Sequence, residues 1–198
     1  FFVNQIAGAI NNSLLYKENL KKYKTLSTLY DVSNTLSGTL DLDKILNLIV
    51  IKIVKIIKCD ICSILLLDDS KKNLIPKIVY DLKGEYKLNK DLKIEDTISG
   101  EAIKSLKYKY VSDILSVTTL LSKSYIKKEK IKTLLSLPLK HENTPIGVIN
   151  IFTKKDRVYT KEEIDLLNSL SHQVSLIIEN SKLYETIKED KENLSGLV

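Results

Sequence analysis

Leu134-Leu135-Ser136-Leu137-Pro138-Leu139, then Pro145-Ile146-Gly147-Val148-Ile149-Asn150, then Tyr159-Thr160-Lys161-Glu162-Glu163-Ile164, carry the strongest structural pattern in this chain. The first two blocks are apolar runs of strand length. The polar His141-Glu142-Asn143-Thr144 lies between them, so 134–140 and 146–154 read as a hairpin. Pro138 has no N–H to give and belongs at a bulge or an edge. Gly147 marks a close backbone approach or a positive φ. Thr160, followed three residues later by Glu163, forms a capping box with Tyr159 in the staple position, and starts a long helix.

Upstream, the pattern changes type. Asp41-Leu42-Asp43 offers an N-cap to a helix over 44–58, whose Ile45, Leu48, Ile49, Ile53, Ile56 and Ile57 keep helical spacing. Two strands follow, 61–67 and 74–80, around the polar turn 68–73. Thr97 or Ser99 caps a short helix that runs through Ser105, in which Gly100 marks tight packing or a ligand against the backbone. A third strand spans 108–112. The stretch 113–132 has no strand signal, and a segment of that length inside a compact domain is functional, disordered or partly helical. Paired strands, a helix and then strands again, inside two long helices, make an α+β fold.

Self-similarity is present at an offset of 168. Gln5, Ile10, Asn12, Ser13, Leu15 and Tyr16 fall on Gln173, Ile178, Asn180, Ser181, Leu183 and Tyr184. The expectation is that 1–27 is the last helix and linker of an upstream copy of the same domain. Both ends also carry a seam with alternating steps of three and four, including Tyr16, Tyr23, Leu26 and Tyr30 in the first and Leu170, Gln173, Ile177, Asn180 and Tyr184 in the second. A homodimer through these helices is expected. Polar seam members such as Asn12 and Asn180 set register at a cost in stability, which suits a helix that shifts.

The 198 residues suffice for one cored domain with flanking helices, and 43% hydrophobic with 28% charged residues is a folding composition. The formal charge is +6, yet Arg157 is the one arginine among 31 basic residues. The bidentate forks that read phosphates and bases are nearly absent, so the basic balance reads as solvated lysine surface with no nucleic-acid contact. Two cysteines make no disulfide framework, and a reducing cytoplasm is the expected location. The most apolar stretch, 45–67, is broken by Lys52, Lys55 and Lys58, so no membrane span is expected, and nothing reads as a signal peptide. The start on Phe1 and the lack of methionine point to a segment of a longer chain, or to lost methionines.

The hairpin and helix-start blocks, with Asp60-Ile61-Cys62-Ser63-Ile64-Leu65-Leu66-Leu67-Asp68, Ile98-Ser99-Gly100-Glu101-Ala102, Tyr110-Val111-Ser112-Asp113 and the closing Glu179-Asn180-Ser181-Lys182-Leu183-Tyr184, resemble the GAF domain. That family is the small-molecule sensor module of signalling proteins, and the resemblance covers 28–187, leaving 188–198 as the start of a linker to an output domain. It implies an antiparallel sheet of five or six strands, with the long N- and C-terminal helices on one face and a ligand pocket under loops and short helices on the other. By that analogy the pocket lies beneath 94–106 and 113–132. Its candidates are Ile98, Ser112, Asp113, Thr118 and Thr119, with Tyr80, Tyr110 and Ser136 on adjoining strands; Asp113 serves equally as a cap for the following loop.

Departures from the family bound the ligand. Members that bind cyclic nucleotides have Asn-Lys, a Phe, and Asp-Glu after three residues; here stand Asn150-Ile151, Tyr159 and Glu163-Ile164. Bilin attachment needs a cysteine beside a histidine in the pocket, and neither Cys59 nor Cys62 is so placed. Cyclic nucleotide, bilin and haem are therefore unsupported, and the cofactor is unknown. Cys59-Asp60-Ile61-Cys62 has redox spacing, but Cys62 lies in a strand and reads as buried and structural. The family's free methionine sulfoxide reductases need cysteines on the pocket loops, and 107–131 has none. His141 and His172 stand alone, without a triad, a metal set or a phospho-acceptor context. The expected function is a non-enzymatic sensor acting on an output domain: a histidine kinase, a cyclic-di-GMP enzyme, a phosphatase or a transcription activator. The alternatives are a ligand-free dimerisation spacer and, distantly, the sulfoxide reductase.

Overall fold

The computed structural model describes residues 42–81, 93–95, 97–118 and 123–195, the side chains of 188–190 and 193–195 excepted. The expected first helix, its seam residues Tyr16, Tyr23, Leu26 and Tyr30, the repeat partner at 5–16, and Thr119 lie outside the described residues. In chain order the elements are α1 (Leu42–Ile57), β1 (Ile61–Leu67), β2 (Leu74–Asp81), α2 (Ile98–Ser105), β3 (Lys109–Val111), a 3-10 turn (Ile114–Ser116), α3 (Lys123–Glu129), β4 (Thr133–His141), β5 (Thr144–Thr153) and α4 (Lys161–Ser195). The stretch read as strandless, 113–132, is thus partly helical. The 108–112 strand is shorter than expected, because only three residues find partners on β4.

The strands form one antiparallel sheet in the order β2-β1-β5-β4-β3. α1 lies on β1 and β2, α4 on β4, and the two helices touch each other. α2 covers the other face, over β3, β4 and β5. β1, β4 and β5 are therefore buried on both sides, and they read as continuous apolar runs rather than as alternation. On the α1/α4 face, Cys62, Ile64, Leu135, Leu137, Leu139, Ile149 and Ile151 pack against Leu46, Ile49, Val50, Ile53 and Ile57 of α1 and Leu167, Leu170, Val174 and Ile178 of α4.

Local chemistry places the junctions. Thr97 is the cap of α2: its hydroxyl accepts from the Gly100 N–H at 3.0 Å and donates to the Ile94 carbonyl at 3.0 Å. A Cβ on Gly100 would stand 1.8 Å from that same carbonyl, so this glycine serves tight packing of backbone on backbone. Gly147 follows the same rule, since a Cβ there would stand 2.2 Å from the Leu65 carbonyl of β1. The capping box forms as read, with Glu163 N–H donating to Thr160 Oγ1 at 3.2 Å and Thr160 N–H to Glu163 Oε2 at 3.0 Å.

Pro138 sits where β3 has already ended, two residues past the last β3–β4 pair at Ser136 and just before the bulge at Leu139/Lys140. α4 supplies the hydrogen bonds missing from that stretch of edge. Ser171 Oγ donates to the Pro138 carbonyl at 2.8 Å, and Lys140 N–H donates to Ser175 Oγ at 2.9 Å, both serines being buried. Replacing Ser175 by alanine strands a backbone N–H under a helix and is expected to cost about 1–3 kcal/mol. Gly147→Ala forces β1 and β5 apart and is expected to cost a similar ~1–3 kcal/mol. Urea unfolding of both variants checks these losses, and an unchanged midpoint for Gly147→Ala would contradict the close approach.

Candidate functional site

The face under α2 is organised in rows, because antiparallel partners point their side chains the same way. One row is Val111, Leu134, Phe152 and Ile61, running from β3 through β4 and β5 to β1. The next row is Lys109, Ser136, Asn150 and Ser63. The third is Pro138, Val148 and Leu65. A polar row thus crosses the middle of an apolar face. On one side Ile61, Leu134 and Phe152 cluster with Ile98, Ile114, Ile126 and Ile131; on the other Leu65 and Val148 cluster with Leu74, Ile94 and Ile103.

The first turn of α2 sets Ser99 onto the polar row. Ser136 Oγ donates to Asn150 Oδ1 at 2.7 Å, Ser99 Oγ donates to the same oxygen at 3.1 Å, and the two hydroxyls lie 3.5 Å apart. All three residues are buried, so these bonds tie helix to sheet in a region shielded from water. Lys109 ends the row at the rim, its ammonium 3.8 Å from Glu101. Chemically the trio is a set of neutral donors and acceptors, suited to recognition and without a nucleophile–base pair.

The sequence-named candidates divide. Ser136 belongs to the trio and Ile98 to the apolar cluster above it. Tyr80 and Tyr110 need correcting: each pairs with a residue of the α1/α4 face, Tyr80 with Cys62 and Tyr110 with Leu135. They were candidates because they lie on strands adjoining the pocket, and strand parity turns them away from the face under α2. Tyr110 instead meets Tyr159 edge-on at 5.8 Å between ring centroids and donates its hydroxyl to the Arg157 carbonyl. Ser112, Asp113 and Thr118 are exposed, and Asp113 is a cap, its Oδ1 accepting from the Leu115 N–H at 3.2 Å. Ser99 and Ser63 were missed as site residues. No window of sequence brings them together: Ser63 meets Asn150 through strand register, and Ser99 through the docking of α2.

This architecture has known counterparts. The family model described as GAF domain matches residues 39–179. The chain belongs to the GAF domain family. Its fold is similar to the GAF domain of a phosphoenolpyruvate-protein phosphotransferase from Coxiella burnetii, with a TM-score of 0.69 at 15% identity over 85% of this chain and 98% of that one. It is also similar to the GAF domain of a two-component sensor histidine kinase from Bacillus halodurans, with a TM-score of 0.63 at 25% identity over 74% of this chain and 99% of that one. Among curated proteins it is 21% identical, over 96% of its length, to the formate hydrogenlyase transcriptional activator FhlA of Escherichia coli strain K12. The chain spans 28% of that relative's length. GAF domains of this kind thus occur in signalling proteins.

Within this GAF domain the thiols are shut away from redox chemistry. Burial pushes the Cys59 thiol from its ordinary 9.0 up to about 12, and burial with the neighbouring Cys59 raises Cys62 as well. Thiolate is the reactive form, so neither cysteine is poised as a nucleophile. Among the described residues no group of three or more His, Cys, Asp or Glu is arranged to hold a metal ion, and no helix is long and apolar enough to cross a membrane.

The C-terminal seam splits along α4. Leu170 and Ile177 are buried, whereas Gln173, Asn180 and Tyr184 face outward. Over a few turns a 3.5-residue repeat and a 3.6-residue helix face nearly coincide, so the sheet takes residues that the seam also claimed. Beyond Ser181 the helix exposes Leu183, Tyr184 and Ile187 together.

Two outcomes follow for the thiols. Ellman's reagent at pH 8 is expected to react with neither cysteine in the folded domain and with both after unfolding. An unfolded thiol ionises near 9 and the folded Cys59 near 12, so stability is full below pH 9 and falls as pH rises toward 12. Melting temperature from pH 7 to 11 checks this, and Cys59→Ala should flatten the alkaline fall.

Proposed function

We propose that this GAF domain is a sensor: a small molecule binds at the face under α2, and its presence is passed through α4 to an output domain beyond the chain. One observation carries the reading. β4 presents Ser136 to the buried trio on one face, and two and four residues further on, at Pro138 and Lys140, it is hydrogen-bonded by Ser171 and Ser175 of α4. A ligand that competes for Asn150 or Ser99 therefore acts on a strand that the exit helix grips directly. Coupling of this kind needs different affinities for two arrangements of the helix.

In this reading 1–27 is the trailing helix of an upstream copy, 28–187 the sensor, and 188–198 the start of a linker, in a cytoplasmic protein. The exposed Leu183, Tyr184 and Ile187 support dimerisation through α4. Transcriptional control and histidine phosphorylation, named for two similar proteins, are the outputs that the resemblance favours. A cyclic-di-GMP enzyme or a phosphatase would accept the same helical input.

A second reading has its own observation. Seven buried residues, Ile61, Ile98, Ile114, Ile126, Ile131, Leu134 and Phe152, fill part of the face where a ligand would sit. A filled face favours a spacer that dimerises and binds nothing. Native mass spectrometry of the purified domain, compared with the denatured sample, decides between them. The sensor reading expects a dimer carrying a small mass that denaturation releases and that Asn150→Leu no longer retains. A clean unliganded dimer would favour the spacer, and a monomer would remove the helical coupling from both.

A further inference from the structure

A cleft of about 290 Å³ opens at the end of the sheet where β1 stops and β5 starts, away from the trio under α2. Its walls are the end of β1 with the turn that follows, the start of β5, and α4 at Glu179 and Lys182. Strand pairing makes the gap. The β1–β5 ladder stops at Leu66 and Gly147, and the β4–β5 register slips between Leu139 and Lys140, so Ile146 has no partner in either ladder. Beyond that point β1 turns away through 68–73, and α4 crosses the opening. The floor is apolar: Ile146 is buried, and Leu67 packs against the cluster of Leu65 and Leu74. A cleft of this size lies at the lower end of the range that takes small molecules.

The rim carries both signs of charge on both sides. On the turn, Asp68 is taken up by local structure: its carboxylate accepts from the Lys72 and Asn73 N–H groups at 3.0 and 3.1 Å, and from the Ser70 hydroxyl and the Asn73 side-chain amide at 2.8 Å each. The Asn73 amide first, and then the other bonds, hold this carboxyl well below the usual carboxylate range. The turn they shape leaves Asp69 and Lys71 exposed beside the cleft. On the helix, Lys182 and Glu179 stand 3.7 Å apart, beyond the roughly 2.7–2.9 Å of a charge-assisted hydrogen bond. Such a loose, partly exposed pair contributes little that a ligand would have to replace. A dianion placed here meets Asp68, Asp69 and Glu179, and a divalent cation or a diamine meets Lys71 and Lys182. A molecule with one ammonium and one carboxylate on an apolar body meets a partner for each of its groups.

The cleft also lies where α4 leaves the domain. Among the described side chains of α4, Ser181 is the last that is buried, and 182–187 are exposed. We propose that this cleft is a binding site for a zwitterion of amino-acid size, with Lys71 and Lys182 holding the carboxylate, Asp69 and Glu179 the ammonium, and Ile146 and Leu67 the apolar body. A ligand so held ties the β1–β2 turn to the last docked turn of α4 and stiffens the helix beyond it. The site does not rest on the sensor reading above, since it shares no residue with the trio of Ser99, Ser136 and Asn150.

The test is an amide NMR titration of the full chain with L-leucine, L-phenylalanine, isoamylamine and isocaproate, the last two being leucine without its carboxylate and without its ammonium. Millimolar leucine or phenylalanine is expected to shift the amides of 67–71, 144–147 and 179–183. The two truncated probes are expected to bind weaker by about tenfold or more, and Glu179→Gln and Lys182→Gln each to weaken the amino acid by about the same factor. The probe comparison uses the unaltered chain, so it holds even where a variant destabilises the helix. No shift with either amino acid, equal binding of the truncated probes, or shifts centred on the trio would each overturn the site. Hydrogen exchange reads the stiffening: 179–187 is expected to exchange several-fold more slowly with the amino acid bound. Unchanged exchange there with the cleft occupied would overturn the stiffening while the site stands. The sensor reading stands or fails on the Asn150→Leu comparison, which these probes do not touch.

Discussion

A strand that loses its neighbour part-way along must find other partners for its backbone, and in this domain that strand is β4. β3 covers it for three residues only, and beyond Ser136 its outer edge would be buried and unpaired. Pro138 removes one donor from that edge, and Ser171 and Ser175 satisfy a carbonyl and an N–H that remain. Ser175 also donates back to the Ser171 carbonyl at 2.9 Å, so the helix absorbs the second hydroxyl proton itself. The position and rotation of α4 follow from these bonds. So does the identity of the face it buries, since Leu167, Leu170, Val174 and Ile178 must then meet Leu135, Leu137 and Leu139.

Once α4 and α1 occupy one face, parity assigns everything else. Residues one step along each strand belong to the α2 face, and there the rows alternate apolar, polar, apolar. The polar row is tolerated where Ser136 bonds Asn150 and Ser99 is brought in from α2 to the same carboxamide oxygen. Gly100, pressed against the Ile94 carbonyl, lets that helix turn come close enough. The start of α4 is secured separately. Arg157 stacks its guanidinium 4.9 Å above the Tyr159 ring and donates to Glu163 Oε1 at 2.6 Å, while the other carboxylate oxygen caps the helix. One glutamate thereby joins the sheet's last turn to the helix that leaves the domain.

Much of the fold was legible because its signals are local. The apolar runs of β1, β4 and β5, the Thr160–Glu163 box and a cap at Thr97 or Ser99 each depend on neighbours in sequence. The GAF resemblance was legible for the same reason, since the blocks that carry it are those runs and caps. The site was less legible. Tyr80 and Tyr110 were assigned to the wrong face because a strand read to within one residue leaves its parity open, and one residue reverses every side chain. Asp113 has equal use as ligand contact and as cap, and only the 3.2 Å bond to the Leu115 N–H shows the cap in use.

Sequence alone carried the apolar strands, the two helices that flank the sheet, the capping box at Thr160 and Glu163, and the scarcity of arginine that leaves the basic surface to lysine. These follow from side-chain volume, hydrogen-bonding capacity and spacing, which a residue carries wherever it lies. Tertiary structure alone decided which strands are neighbours, that Ser63, Ser99, Ser136 and Asn150 converge from four elements, and that Leu170 and Ile177 serve the domain's own core. Those facts depend on register and on rotation about a helix axis, quantities set by long-range pairing and absent from any window of sequence.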